Sequence, residues 1–197
     1  MLKLEEIRKR YHHDQGLKNI NLTVLPENIY LFVGENGSGK STTIKLISHV
    51  IFHSQRDGKI TNQFKKIVYL PDKRSYPRLL TVKTYLTYFL EKKMSSKLLD
   101  TWLEKYQIPN KKIGGLSKGM LQKLGIIQTL LSEGDLYLFD EPTDGLDTDS
   151  IHLFKEDLMN LLNQKKTIIV STHNKQIYKE LKPKIYHFNK GVCYEKK

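Results

Sequence analysis

The chain has 197 residues, 39% hydrophobic and 10% aromatic, which suits one cored domain, or one domain carrying a small subdomain, and excludes a disordered composition. A net charge of +12 admits a nucleic-acid surface, an acidic membrane surface, or plain lysine richness. No apolar run approaches the ~18 residues of a spanning helix, the start Met1-Leu2-Lys3-Leu4-Glu5-Glu6 lacks a signal-like apolar stretch and predicts a cytosolic protein, and the single cysteine, Cys193, excludes a disulfide framework or cysteine-rich metal centre.

In chain order, Asn19 to Val24 places Ile20, Leu22 and Val24 on one face, the pattern of a half-buried strand. Ile29 to Val33 is continuously apolar, as a strand buried on both faces would be. A glycine-rich turn leads to a predicted helix from about Ser41 to Phe52, and Ile67 to Leu70 reads as a further strand ended by Pro71. From about Leu79 to Leu131 the period becomes helical. Tyr85, Leu86, Phe89 and Leu90 share one face, Leu99, Trp102, Leu103 and Tyr106 a second, and Leu124, Ile127 and Leu131 a third. Leu136 to Phe139 returns to strand, Ile151, Phe154, Leu158 and Leu161 mark a helix, and Thr167 to Ser171 is another buried strand. Lys184 to Tyr194 predicts a hairpin turning at Asn189-Lys190-Gly191. The alternation implies an α/β fold with a mostly parallel sheet covered on both faces and an inserted helical subdomain. No repeat, low-complexity tract or long linker interrupts it.

Two segments carry chemistry. Gly34-Glu35-Asn36-Gly37-Ser38-Gly39-Lys40-Ser41 fits G-x-x-x-x-G-K-[ST], between a predicted strand and a predicted helix. Glycines let successive backbone N–H groups turn around phosphate oxygens, and the helix N-terminus adds partial positive charge. Lys40 can then reach the β- and γ-phosphates of ATP, and the Ser41 hydroxyl can ligate Mg²⁺. Leu136-Tyr137-Leu138-Phe139 ends in Asp140-Glu141, delivering two carboxylates at a strand's carboxyl end, where open α/β sheets bind ligands. Asp140 would hold Mg²⁺ through its water shell, and Glu141 could polarise an attacking water. Taken alone, the pair also fits a solvated strand end.

With these motifs in order, the sequence resembles the ATP-binding-cassette (ABC) ATPases over nearly its whole length. Leu116-Ser117-Lys118-Gly119-Met120 is similar to the family signature LSGGQ, Pro142 to Asp147 to its D-loop, and Ser171-Thr172-His173 to its switch histidine. Tyr11 stands where the family stacks an aromatic on adenine, and Asp72 where it has its Q-loop glutamine. The resemblance implies a P-loop NTPase fold with an N-terminal antiparallel β subdomain. Residues 1–75 and 133–197 would form the ATP-binding core and residues 76–132 a helical signature subdomain. It implies ATP held by Tyr11, Gly34, Asn36, Gly37, Ser38, Gly39, Lys40, Ser41, Thr42, Ser117 and Gly119, and Mg²⁺ held by Ser41, Asp140 and Asp72. Lys40, Glu141 and His173 would carry hydrolysis. Ser117 and Gly119 would serve the site of a second ATPase subunit in a head-to-tail dimer, and transport would run through a separate transmembrane permease.

Lys118 and Met120 depart from the signature, in a form that the resemblance places among exporter-like members, and Asp72 puts a carboxylate where the family has an amide. Two other activities stay open: a soluble ABC-type ATPase acting on nucleic acid or ribosomes, and a low-turnover regulatory module. Relatives acting on DNA or ribosomes usually carry a coiled-coil insertion or a second cassette, and this chain has neither. Tyr76, Leu79, Leu80, Tyr85, Tyr88 and Phe89 could line a groove for a partner helix or belong to the core. His12 and His13 read as solvent-facing loop residues, and Cys193 as a structural thiol. The lysines fall in scattered pairs (Lys65-Lys66, Lys92-Lys93, Lys111-Lys112, Lys165-Lys166, Lys196-Lys197), not on one helix with interleaved aromatics. Nucleic acid is therefore not expected as a partner. A peripheral position on the inner face of the plasma membrane is expected, beside acidic lipid.

Overall fold

A computed structural model describes residues 1–11, 16–52, 55–91 and 94–195. His12, His13, Lys92, Lys93, Lys196 and Lys197 lie outside the described residues. The chain runs β1 (Leu2–Arg10), β2 (Gly16–Val24), β3 (Ile29–Val33), α1 (Lys40–Ile47), β4 (Lys59–Asn62), β5 (Ile67–Leu70), α2 (Val82–Phe89), α3 (Ser96–Lys105), α4 (Lys118–Leu130), β6 (Leu136–Asp140), α5 (Thr148–Asn163), β7 (Thr167–Thr172), β8 (Lys184–Asn189) and β9 (Val192–Glu195). Among the described residues the strands form one sheet in the order β4-β1-β2-β9-β8-β3-β7-β6-β5. The pairs from β8 through β3, β7 and β6 to β5 are all parallel. At the other end β4, β1 and β2 pair antiparallel, so the expected mixed α/β sheet with an antiparallel N-terminal part is present.

The central strands explain their own composition. β3, β6 and β7 are buried at every residue, because both faces are covered. Ile29, Leu31 and Val33 join a core with α2 to α5, while Tyr30 and Phe32 face the opposite core with α1, β1 and β2. In β1 the alternation breaks. Leu2 and Leu4 are buried, then Ile7, with a register shift between Leu4 and Ile7 and Glu6 at φ 52°. This bulge keeps all three on the core face at the cost of the period-2 signal.

Helix α1 ends five residues before the predicted Phe52. Its last turn closes as a Schellman motif: Val50 N–H donates to Lys45 O at 3.0 Å, His49 N–H to Leu46 O at 3.2 Å, and His49 sits at φ 58°. Helices α2 to α5 begin at side-chain N-caps, Thr81, Ser95, Ser117 and Asp147. Leu99, Leu103 and Tyr106 are buried as expected, and so are Leu124, Ile127 and Leu131. On α2 the expected face is rotated: Val82, Leu86 and Leu90 are buried, whereas Phe89 is exposed. The i, i+4, i+8 row from Val82 packs on the core, and Tyr85 and Phe89 flank it. The hairpin at Lys190-Gly191 is present, with φ 45° and 81° at its two central residues, the geometry of a type I′ turn. Cys193 is buried with its thiol on Asn21 O, and burial pushes its pKa up to about 11.

Asp157 on α5 ties α3 to the rest of the core. It is buried and accepts hydrogen bonds from Tyr106 Oη at 2.7 Å and Lys105 Nζ at 2.5 Å. Burial, then the adjoining carboxylate, raises the Tyr106 phenol. Asp157→Ala leaves that buried hydroxyl without its acceptor, which is expected to cost about 1–3 kcal/mol. Urea unfolding should show it as a lower midpoint at unchanged slope.

Candidate nucleotide site

The loop after β3 is shaped by glycine where the backbone demands it. Gly37 and Gly39 have φ 80° and 114°, and Gly39 caps α1. The C-terminal hairpin braces this loop: Gly191 N–H donates to Ser38 O at 3.0 Å, and Lys18 N–H donates to Gly191 O at 2.8 Å. A Cβ on Gly191 would lie 2.2 Å from Gly16 O, so only glycine permits this approach.

The loop faces the carboxyl ends of β6 and β7 across an open cleft of about 290 Å³, lined by Asn36, Gly37, Ser38, Gly39, Lys40, Ser41, Thr42, Asp72, Glu141 and Asp144. Lys40 is buried; its Nζ donates to Gly34 O at 2.7 Å and Glu35 O at 3.1 Å and lies 3.4 Å from Glu141 Oε1. Ser41 Oγ donates to Asp140 Oδ1 at 2.9 Å, and Ser171 Oγ donates to the same oxygen at 2.5 Å. Glu141 N–H in turn donates to Ser171 Oγ at 2.9 Å, and Glu141 Oε2 is 3.2 Å from His173 Nδ1. Glu141 itself has φ 46°, a left-handed conformation that costs a non-glycine residue about 1–3 kcal/mol and that functional sites characteristically hold.

Ser38 Oγ and Asp140 Oδ2 are among the buried oxygens that have no hydrogen-bond partner among the described residues. A buried polar atom without a partner is costly unless a ligand or water completes it. With Ser41 and Asp72 beside them, these hard oxygen donors fit a hydrated Mg²⁺ and phosphate oxygens. Bound there, Mg²⁺ would neutralise charge on the phosphates. The Tyr69 phenol is raised by burial and by the neighbouring Asp140 carboxylate.

Not every residue expected from the sequence lines this cleft. Tyr11 is exposed just after β1, outside the lining set. Ser117 is exposed and caps α4, its Oγ accepting from Met120 N–H, and it too lies outside the cleft. Gly119 packs on the loop after β6: a Cβ there would be 3.0 Å from Gly145 O. Lys123 Nζ pairs with Asp147 Oδ2 at 3.1 Å, and hydrogen bonds from Ser150, then Lys123, lower Asp147 to about 2. Three residues in contact with this site were given no role of their own from the sequence, although Asp144 and Ser171 stand inside motifs named above. Ser171 supports both Asp140 and Glu141 from the paired position on β7, a buried serine at a strand end. Asp144 brings a carboxylate within 4.8 Å of Glu141 and His173. Gln122 reaches the backbone of Glu141 and Pro142 from α4.

The family model described as ABC transporter matches residues 17–144. The uncharacterized ABC transporter ATP-binding protein YhaQ of Bacillus subtilis is 31% identical over 208 residues, covering 97% of this chain and 69% of that protein. Its counterpart MJ1023 of Methanocaldococcus jannaschii is also 31% identical, over 96% of this chain and 74% of its own length. A dimeric structure of the ATP-binding cassette MJ0796, in a post-hydrolysis state bound to ADP and Pi, superposes with a TM-score of 0.84 over 100% of this chain and 98% of that one, at 23% identity. The chain therefore belongs to the ABC transporter family and is one of its ATP-hydrolysing cassettes.

Proposed function

We propose that the chain powers export through separate transmembrane subunits by closing a head-to-tail dimer around ATP. The observation that supports the head-to-tail dimer is a division of the motifs. Lys40, Ser41, Asp140, Glu141 and His173 converge, whereas Ser117 and Gly119 do not line the cleft. A second copy in twofold arrangement would supply the missing pair to each cleft. In that arrangement Lys40 and the loop amides neutralise the phosphates, Ser117 and Gly119 of the partner cap the γ-phosphate, and Tyr11 stacks on adenine. Glu141 takes the proton of the attacking water, with His173 holding water and phosphate in register.

We assign residues 1–75 and 133–197 to the ATP-binding core and 76–132 to the signature subdomain. Export rests on the resemblance of the LSKGM signature to exporter-like members. No helix among the described residues is long and apolar enough to cross a membrane, which fits spans carried on other polypeptides. The apolar segment is divided: Tyr76, Leu80 and Tyr85 are half-buried, while Leu79, Tyr88 and Phe89 are exposed. We place the membrane subunit's contact on these three, at the inner face of the membrane.

Mixing two inactive chains tests the division. One carries Lys40→Ala, the other Ser117→Arg. A mixed head-to-tail dimer has one cleft with both defects and one with neither, so mixing is expected to restore about a quarter of parent turnover when subunits exchange freely. If each chain completed its own site, mixing would restore nothing.

A further inference from the structure

Glu141 is held from both sides of its backbone, and the second hold comes from a residue outside the nucleotide motifs. Ser171 accepts its N–H; on the carbonyl side, Gln122 Nε2 donates to Pro142 O at 2.7 Å and approaches Glu141 O at 3.5 Å. Gln122 is buried, 7% exposed, on α4 one turn beyond the cap Ser117. Its amide has no freedom to turn round. Arg74 Nη2 donates to Gln122 Oε1, and because a guanidinium only donates, the oxygen must face it and the NH₂ must face the carbonyls. Helix α4 leaves room for Arg74 there: a Cβ on Gly125, three residues from Gln122, would lie 2.4 Å from Arg74 Nη1. Arg74 follows the cleft residue Asp72 by two positions and interacts with its charge.

We propose that Gln122 is a positioning residue for hydrolysis, its amide oriented by Arg74, that keeps the left-handed Glu141–Pro142 turn where the Glu141 carboxylate meets the attacking water. The proposal rests on the role given to Glu141 above. Glu141 precedes a proline at positive φ, a setting that the backbone does not adopt unaided. Releasing Pro142 O leaves that turn supported from Ser171 and the local Asp144 N–H to Glu141 O bond at 3.3 Å. The carboxylate would then sample positions displaced from the water, and a displacement near 1 Å costs rate without altering phosphate contacts.

The test uses the full chain and MgATP. Gln122→Met removes the hydrogen bonds to Arg74 and Pro142 O at nearly constant volume; Gln122→Glu keeps an acceptor for Arg74 but turns a carboxylate oxygen toward Pro142 O in place of the donor, so it remains informative if the methionine variant fails to fold. Both are expected to lower kcat by about 10- to 100-fold, with KM for ATP within about twofold of the parent. Arg74→Met is expected to lower kcat in the same direction, and to add nothing in a Gln122→Met background. Adding Gln122→Met to Glu141→Gln is expected to leave the residual rate unchanged, because a misplaced group that no longer acts has nothing to lose. Parent-like kcat in a folded Gln122→Glu variant overturns the proposal, as does a loss that appears equally in KM. Should Glu141→Gln itself turn over normally, the reading of Glu141 fails; should Glu141→Gln be slow while Gln122→Glu is normal, only the role of Gln122 fails.

Discussion

Lys40→Ala is expected to remove ATP turnover, lowering kcat/KM by at least about 10²–10³, the scale of losing one preorganised donor to a developing anion. The size follows from where the ammonium sits. Lys40 is buried at the mouth of α1, and its Nζ contacts Gly34 O, Glu35 O and the Glu141 carboxylate. The two carbonyl oxygens are neutral acceptors and Glu141 is the one facing charge, so a triphosphate entering the cleft competes with that carboxylate for the ammonium. Alanine removes that charge and leaves the Glu141 carboxylate, with 10% side-chain exposure, facing incoming phosphate with nothing to offset the repulsion. Both binding and rate should therefore fall. Equilibrium titration with a fluorescent ATP analogue separates the two, and parent-like binding and turnover would remove the Gly34–Ser41 loop from phosphate recognition. Lys40→Arg is expected to recover little, since a planar guanidinium does not reproduce the compact ammonium that contacts Gly34 O and Glu35 O.

The parts of this site that depend on a backbone requirement were readable in the sequence. Gly37 and Gly39 take positive φ, so the phosphate loop must spell its own conformation. β3, β6 and β7 are buried on both faces, so they appear as unbroken apolar runs. β1 was not readable, because the bulge at Glu6 moves its core face from even to odd positions between Leu4 and Ile7. The end of α1 was missed for a similar reason. Its left-handed residue is His49, where glycine is the usual signal. Ser171 and Gln122 escape any spacing rule: each is a single polar side chain whose partners lie in other elements, and burial, invisible in a sequence, makes its hydrogen bonds matter. Tyr11, Ser117, Gly119 and Asp72 came from the ordered resemblance, and of these Asp72 alone lines the cleft of the single chain.

Glu141→Gln is expected to slow hydrolysis by about 10²–10⁴, the usual contribution of a positioned general base, while ATP still binds and the dimer accumulates. The substitution is nearly isosteric and the backbone does not depend on the carboxylate, since Ser171 holds the N–H and Gln122 the following carbonyl. The fold and the left-handed turn should therefore persist. What changes is charge. The carboxylate lies 3.4 Å from Lys40 Nζ and 3.2 Å from His173 Nδ1; an amide in its place cannot accept a proton from water, and it no longer competes with phosphate for Lys40. Binding should tighten as chemistry fails. If ATP favours the closed dimer and hydrolysis reopens it, the population shifts to closed in proportion to the lost rate. Gel filtration with MgATP should then show the variant at twice the protomer mass while phosphate release falls. His173→Ala distinguishes the base from its neighbour: it is expected to lower turnover less than Glu141→Gln, because Glu141 keeps a carboxylate to take the proton and loses only a contact that orients it. The reverse order, with His173→Ala the slower enzyme, would move the proton-accepting role from Glu141 to the imidazole.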